Sequence, residues 1–388
     1  MSSKIIVGKL VPDEFNELID LMDFVFSKAH SPTDFMTLLP GLYHPTQECA
    51  DNHWVVREQG RLVSSIGTIP SVIVMGDKRI KLEGIGGVCT NKREAGKGYM
   101  RAIMEEILEY YRRDGVMLSY LTGERKRYQR YGYEKAGMAH EFYITGKNVA
   151  ECPESVKEIP LSMAQMAKDD ALAISYAKGL HDRDVIHYER DVQGFYTKLI
   201  HWTNIPYIVL NGNGEYAGYF VYSKIQNRIT EICAETDDLF EAIIHEWVMK
   251  NGDVSLTLSP WKMPYIKRML RICENVNVIH FGQWLILDWE NVVSGLFQAK
   301  STYTALPDGH LNIGIDGYGT LSITVKNNDA QCIRTDQQPD ITCDSLTATR
   351  LMCGHVSPQY VVDLPAVLTP LFISWFPLPL HCPNPDAV

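Results

Sequence analysis

Gly86-Gly87-Val88-Cys89-Thr90-Asn91-Lys92-Arg93-Glu94-Ala95-Gly96-Lys97-Gly98-Tyr99-Met100-Arg101 is the stretch that decides how the chain folds. It joins a glycine-broken strand, 84–88, to a helix whose Met100, Ile103, Met104, Ile107, Leu108 and Tyr111 form one apolar stripe. A helix N-terminus offers free N–H groups and a partial positive charge, so it attracts anions. Gly96 and Gly98 let the backbone come close to a phosphate. Lys92, Arg93, Lys97 and Arg101 add positive charge. A pyrophosphate cradle is expected. A plain tight turn before a helix is the bland alternative; the strands before it, the basic residues and the stripe weigh against it. The loop is not a P-loop, because G-x-x-x-x-G-K-S/T is missing, nor a G-x-G-x-x-G after a first parallel strand.

Upstream, residues 5–10 read as a short strand, and Pro12-Asp13-Glu14 opens a helix carrying Phe15, Leu18, Ile19, Met22, Val25 and Phe26 at helical spacing. Ser31-Pro32-Thr33-Asp34 starts a second short helix. Strands follow at 53–58 and 62–69 around Gln59-Gly60, then at 71–75 and 79–82 around the hairpin signal Gly76-Asp77. The loop's helix ends near Asp114-Gly115, and 116–121 is a buried-strand candidate. A second unit from 159 to 289 alternates helices (161–178, 237–250, 263–271) with strands (207–210, 216–223, 254–258, 283–288). A third begins near Leu296, with strands at 312–319 and 320–326 and an irregular proline-rich tail, 365–385. The class is α/β (α+β) with mixed sheets.

The length of 388 residues agrees, since domains hold ~100–200 residues and two or three are expected. Hydrophobic content of 45% and charged content of 22% are those of a globular protein. A formal net charge of −10 argues against nucleic acid as a partner. There is no signal-peptide h-region and no apolar run of roughly 18 residues, so neither secretion nor a membrane span is expected. The nine cysteines form no C-x-x-C pair, which fits a reduced cytoplasmic setting.

Arg93, Gly96 and Gly98 resemble motif A of the GNAT acetyltransferases, Q/R-x-x-G-x-G/A, with Ala95 where many members place arginine. Tyr128 followed by Tyr131-Gly132-Tyr133 looks like the enhanced intracellular survival (Eis) branch, whose overall length is similar. The resemblance implies two tandem GNAT-like domains, 1–150 with the cofactor loop and 151–292 without it. A sterol-carrier-protein-like domain follows at 293–388, its tail reaching the active site. It also implies acetyl-CoA as co-substrate, a small polyamine, aminoglycoside-like molecule or lysine as amine acceptor, no metal, and a homo-oligomer, hexameric in that branch.

By the same resemblance, Val88, Cys89, Thr90, Arg93, Gly96, Lys97, Gly98, Tyr99, Met100 and Arg101 bind the cofactor, and Gly123 and Glu124 line its pantetheine arm. Tyr128 is the general acid, and the carboxylate of Val388 is the base, with Asp386 or a water as the alternative. A bulge at Gly86-Gly87 would free N–H groups near Val88 for the thioester oxygen. Intact Tyr128 and an intact loop favour the enzyme over a non-catalytic acyl-CoA or lipid-binding module.

The remaining signals are bland. Cys89 reads as a small core residue. His245-Glu246 lacks a second zinc histidine, and His181, His187 and His201 lack metal-ligand spacing. Trp247, Trp261, Trp284 and Trp289 read as core of the second unit, and Asp20, Asp23 and Asp34 as a solvated face rather than an amine-recognition surface.

Overall fold

The computed structural model describes residues 5–28 and 33–388. Ser31 and Pro32 of the expected second helix start lie outside the described residues; the helix itself is Phe35–Leu38, capped by Asp34. Three mixed sheets carry the α/β architecture. The first runs Val7–Lys9, His53–Glu58, Arg61–Met75, Lys78–Thr90, Leu118–Leu121, Gln283–Ile286, Glu134–Lys135, with Ile186–Tyr188 added against Arg61–Met75. The hairpin at Gly76-Asp77 forms, but the two strands expected on either side of residue 70 are one. Pro70 is tolerated because it falls between two partners on that edge, Gly67↔His53 and Ile73↔Tyr188. No ladder bond there needs its missing N–H.

The second sheet runs Asn275–Ile279, Ala139–Ile144, Val254–Leu258, Arg228–Ala234, Tyr216–Ser223, Ile205–Asn211, Leu161–Gln165. Three strands cross over: Ala139–Ile144 precedes the second unit in sequence yet lies in its sheet, and Ile186–Tyr188 and Gln283–Ile286, from the second unit's span, lie in the first sheet. Residues 161–165, expected as helix, form an edge strand against Ile205–Asn211. Leu161 and Met163 alternate with exposed neighbours, a period of two. The helix begins only at Ala171, after Asp170 caps it through the Ala173 N–H at 3.0 Å.

The third sheet runs Asp329–Thr335, Gly319–Lys326, Gly309–Ile315, Ile341–Cys343. It shares one core with the first: Ile73, Met75 and Ile80 pack with Val292, Leu296 and Phe297 of the helix Trp289–Ser301, and with Leu311 and Leu321. Trp261, Trp284 and Trp289 are buried, but in this shared core; only Trp247 lies in the second sheet's core. The tail is not wholly irregular. It holds the helix Thr369–Trp375, with Pro370 in the first turn, where no N–H is required. Among the described residues no helix is long and apolar enough to cross a membrane.

Candidate active site

The strands Lys78–Thr90 and Leu118–Leu121 pair in parallel from Leu82↔Leu118 to Ile85↔Leu121, and the pairing stops there. On the other edge the register jumps, with Ser65 opposite Cys89 and Gly67 opposite Gly86. Gly87 and Val88 therefore face Ile66 alone, which is a bulge. Gly87 needs its glycine twice over: its φ is +60°, and a Cβ there would sit 2.8 Å from Met22 Cε. Beyond the last pair the strands splay into a cleft of about 660 Å³ lined by Gly86, Gly87, Val88, Gly123, Glu124 and Tyr128. Gln283 fixes one rim by donating to the Gly123 carbonyl at 2.7 Å.

The helix Tyr99–Asp114 begins past the bulge. Its buried stripe is Tyr99, Ile103, Met104, Ile107 and Tyr111, and Gly115 closes it in the left-handed region. Its N-cap is Gly98 at φ +87°, and no side chain caps the first turn, whereas Asp or Thr side chains cap the helices starting at Ala171, Asp237, Trp289 and Ser345. The N–H groups of that turn are left for another acceptor. Arg93, Gly96, Lys97 and Gly98 are exposed, and a Cβ on Gly96 would meet nothing within 4 Å. Lys97 pairs with Glu94, and Arg101 with Glu105 at 2.7 Å. The Arg93 guanidinium has no ion-pair partner among the described residues.

Tyr128 rides on the short helix Arg125–Gln129. The buried Glu134 carboxylate anchors that helix, accepting from Arg125 at 2.7 and 3.0 Å and from Gln129 at 2.8 Å. The Tyr128 ring lies against Gly123, where a Cβ would stand 2.6 Å from Cε2. Burial raises its phenol above the ordinary value of 10, so it stays protonated at neutral pH and able to donate.

Val388 enters this cleft from the other end of the sequence. Gly84 and Gly86 make the room: Cβ atoms there would lie 2.6 Å from Val388 Cγ2 and 3.3 Å from its carboxyl carbon. Trp202 Nε1 donates to the Ala387 carbonyl at 3.1 Å, and Asn204 to the Asn384 side chain at 2.6 Å. His201 Nδ1 lies 3.1 Å from the Pro385 carbonyl, which can only accept, so Nδ1 carries the proton. Burial, helped by Lys198, holds that imidazole neutral, its pKa pushed down to about 3. Trp202 and Thr203 have φ of +59° and +57°, a strained conformation for residues with side chains.

Buried Arg190 donates to both oxygens of Asp386 at 3.1 and 2.6 Å and to both of Glu231 at 2.9 and 2.7 Å. Burial alone would raise the Glu231 carboxyl; Arg190 more than offsets this and holds it at about 2. Asp386 does not line the cleft, and each of its oxygens accepts from Arg190. His181 brings a third ligand-type atom within 4.8 Å of these carboxylates, whose four oxygens already accept from the Arg190 guanidinium.

The structure thus brings Val88, Gly123, Glu124, Tyr128 and Val388 together. Cys89 turns away into the core beside Leu10 and Phe15, where burial lifts its thiol to about 12. The Thr90 hydroxyl bonds Ser64 at 2.8 Å, the Tyr99 hydroxyl donates to Glu58 at 2.6 Å, and Met100 packs half-buried on the helix core, so their side chains are occupied elsewhere. Trp202, Arg190 and Gln283 escaped sequence reading. Their partners lie far away in the chain, and only the crowding of aromatic and polar residues at 201–204 hinted at a role.

Residues 7–136 match the family model for the Acetyltransferase (GNAT) domain, so the chain carries a GNAT acetyltransferase domain over that span. No curated protein sequence matches the chain. Among solved structures, it is similar to a conserved Enterococcus faecalis protein called a probable N-acyltransferase. The TM-score is 0.68 at 18% identity, over 97% of this chain and 98% of that one. It is likewise similar to a GCN5-related N-acetyltransferase from Anabaena variabilis, with TM-score 0.67 and 14% identity over 99% and 100% of the two chains. Eis1 from Mycobacterium abscessus gives 0.66 and 14% over 98% and 99%. At these identities the likeness is one of fold, and it extends along the whole chain.

Proposed function

We propose that the protein is an acetyl-CoA-dependent N-acetyltransferase that acetylates a primary amine by direct attack. The observation that carries this reading is one cleft shared by three distant parts of the chain: the bulge at Gly86-Gly87-Val88, Tyr128 and Val388. An alkyl amine of pKa ~10 arrives protonated. The Val388 carboxylate removes that proton, directly or through a water. The nitrogen lone pair then bonds to the acetyl carbonyl carbon, while backbone donors near Val88 meet the charge growing on oxygen. The carbon–sulfur bond breaks, its electron pair passes to sulfur, and the Tyr128 phenol protonates the thiolate and later recovers a proton from solvent.

In this reading the turn Arg93–Arg101 receives the pyrophosphate, chiefly through backbone N–H groups and the positive charge of Arg93. Gly123 and Glu124 flank the pantetheine arm. Residues 1–150 form the catalytic unit, 151–292 a second GNAT-like unit that aims the tail, and 293–388 a sterol-carrier-protein-like unit. Homo-oligomeric assembly and a cytoplasmic setting belong to the same proposal. Thiol release from acetyl-CoA in the presence of amines tests the reaction. Tyr128→Phe should lower kcat by ~10²-fold or more and leave acetyl-CoA affinity unchanged. Full turnover in that variant would remove Tyr128 as the acid. Tight acetyl-CoA binding without turnover in the unaltered protein would make it a binding module.

A further inference from the structure

We propose that the acceptor is a monoamine whose amino group is carried on an apolar or aromatic body, not a polycation; the inference rests on the transferase reading above. The acceptor side of the 660 Å³ cleft is walled by Val25, Phe26, Phe35, Leu38 and Trp202, with Val388 beside them. Phe26 and Phe35 meet edge to face at 4.9 Å, and Phe35 meets Tyr43 the same way at 5.5 Å, so the aromatic wall is braced from behind.

The acids nearby in sequence are engaged elsewhere. Asp23 accepts the Phe35 N–H at 3.1 Å. Asp34 caps its helix, accepting from the Thr37 N–H at 3.0 Å and the Thr37 hydroxyl at 2.7 Å. Neither lines the cleft. Glu124 stands on the cofactor side and pairs with Arg127 at 3.1 Å. Among the described residues, the Val388 carboxyl is therefore the one negative group on the acceptor side.

One carboxylate can take up one ammonium. A second ammonium pressed against this wall would lose water and gain no partner, whereas an apolar body gains by leaving water. A neighbouring cleft of about 390 Å³ does carry Glu48, Glu189 and Asp191, but it shares no lining residue with the first. Those acids do not line the way to Tyr128. Glu189 there pairs with Arg79, Asp191 caps its helix through the Gly194 N–H at 2.6 Å, and Arg190 and Lys198 share the lining, so that cleft offers a polyamine little free negative charge.

The experiment compares 2-phenylethylamine with spermidine as acceptors in the thiol-release assay. The expected result is a kcat/KM about tenfold or more in favour of 2-phenylethylamine. An equal or reversed ratio overturns the inference while leaving the transferase reading intact. Absence of release with every amine overturns the transferase reading. The two amines are then titrated calorimetrically into the acetyl-CoA-loaded protein: tighter 2-phenylethylamine supports the apolar wall, and equal or tighter spermidine overturns it. Val25 and Leu38 are only half-buried, so Val25→Asp and Leu38→Asp are independent probes. Either, once shown to be folded, should shift the ratio several-fold towards spermidine. An unchanged ratio in both also overturns the inference.

Discussion

The turn at residues 91–101 and the tail at 384–388 serve the same proposed chemistry, and they are held by opposite means. The turn is exposed and holds itself: Asn91 accepts the Arg93 N–H at 3.0 Å, Lys97 pairs with Glu94, and Arg101 pairs with Glu105. The tail is buried and gripped by residues 180 to 196 positions away: Arg190, His201, Trp202 and Asn204. A surface that must admit and release a charged cofactor gains from solvent access and sparse partners. A carboxyl that must meet one proton in one direction gains from a buried anchor bonded at several points.

The sharpest way to break this comparison is Arg190→Met. It strands Asp386 and Glu231 as buried, unpaired carboxylates, at a cost of roughly 3–5 kcal/mol of stability. Calorimetric unfolding should show the loss. Turnover should fall with it, while the folded fraction still binds acetyl-CoA through the turn. An unaltered unfolding temperature would mean the tail is held by something else. The same cluster sets an acid limb. The Glu231 carboxyl is depressed from an ordinary 4.5 to about 2 in the folded state, so its contribution is complete above pH 4.5 and drains away as pH falls towards 2. Urea titrations across that window should show a steeper slope in the native protein than in Arg190→Met, where depressed groups such as Asp182 still contribute.

A milder pair of changes separates turn from tail. Gly98→Ala must hold a side chain at φ +87°, at roughly 1–2 kcal/mol, and its nearest neighbour is 3.8 Å away, so backbone strain is its whole effect. It should weaken acetyl-CoA binding and spare kcat at saturation. Gly84→Ala puts a methyl 2.6 Å from Val388 Cγ2, so it should lower kcat and spare acetyl-CoA affinity. Steady-state kinetics with calorimetry distinguishes the two, and identical effects would dissolve the distinction.

The same contrast explains what the sequence could disclose. The turn was legible because its glycines, charges and helix stripe lie within one short stretch, and the strand Val254–Leu258 shows its own alternation. Arg190 looks like any charged residue until the fold places Asp386 and Glu231 on it. Trp202 gives no local sign of its left-handed backbone. Strand exchange was hidden for the same reason: the partner of Gln283–Ile286 is Leu118–Leu121, far upstream. Residues 161–165 misled because leucine and methionine suit either period, and pairing with Ile205–Asn211 decided the matter.

The most direct measurement of the central claim is kcat and acetyl-CoA affinity for the protein lacking Val388 alone, which leaves the Arg190–Asp386 anchor in place. A fall in kcat of ~10²–10⁴-fold with unchanged acetyl-CoA affinity is predicted, the range expected for losing a positioned base. Undiminished turnover would contradict the assignment of the Val388 carboxyl to the reaction.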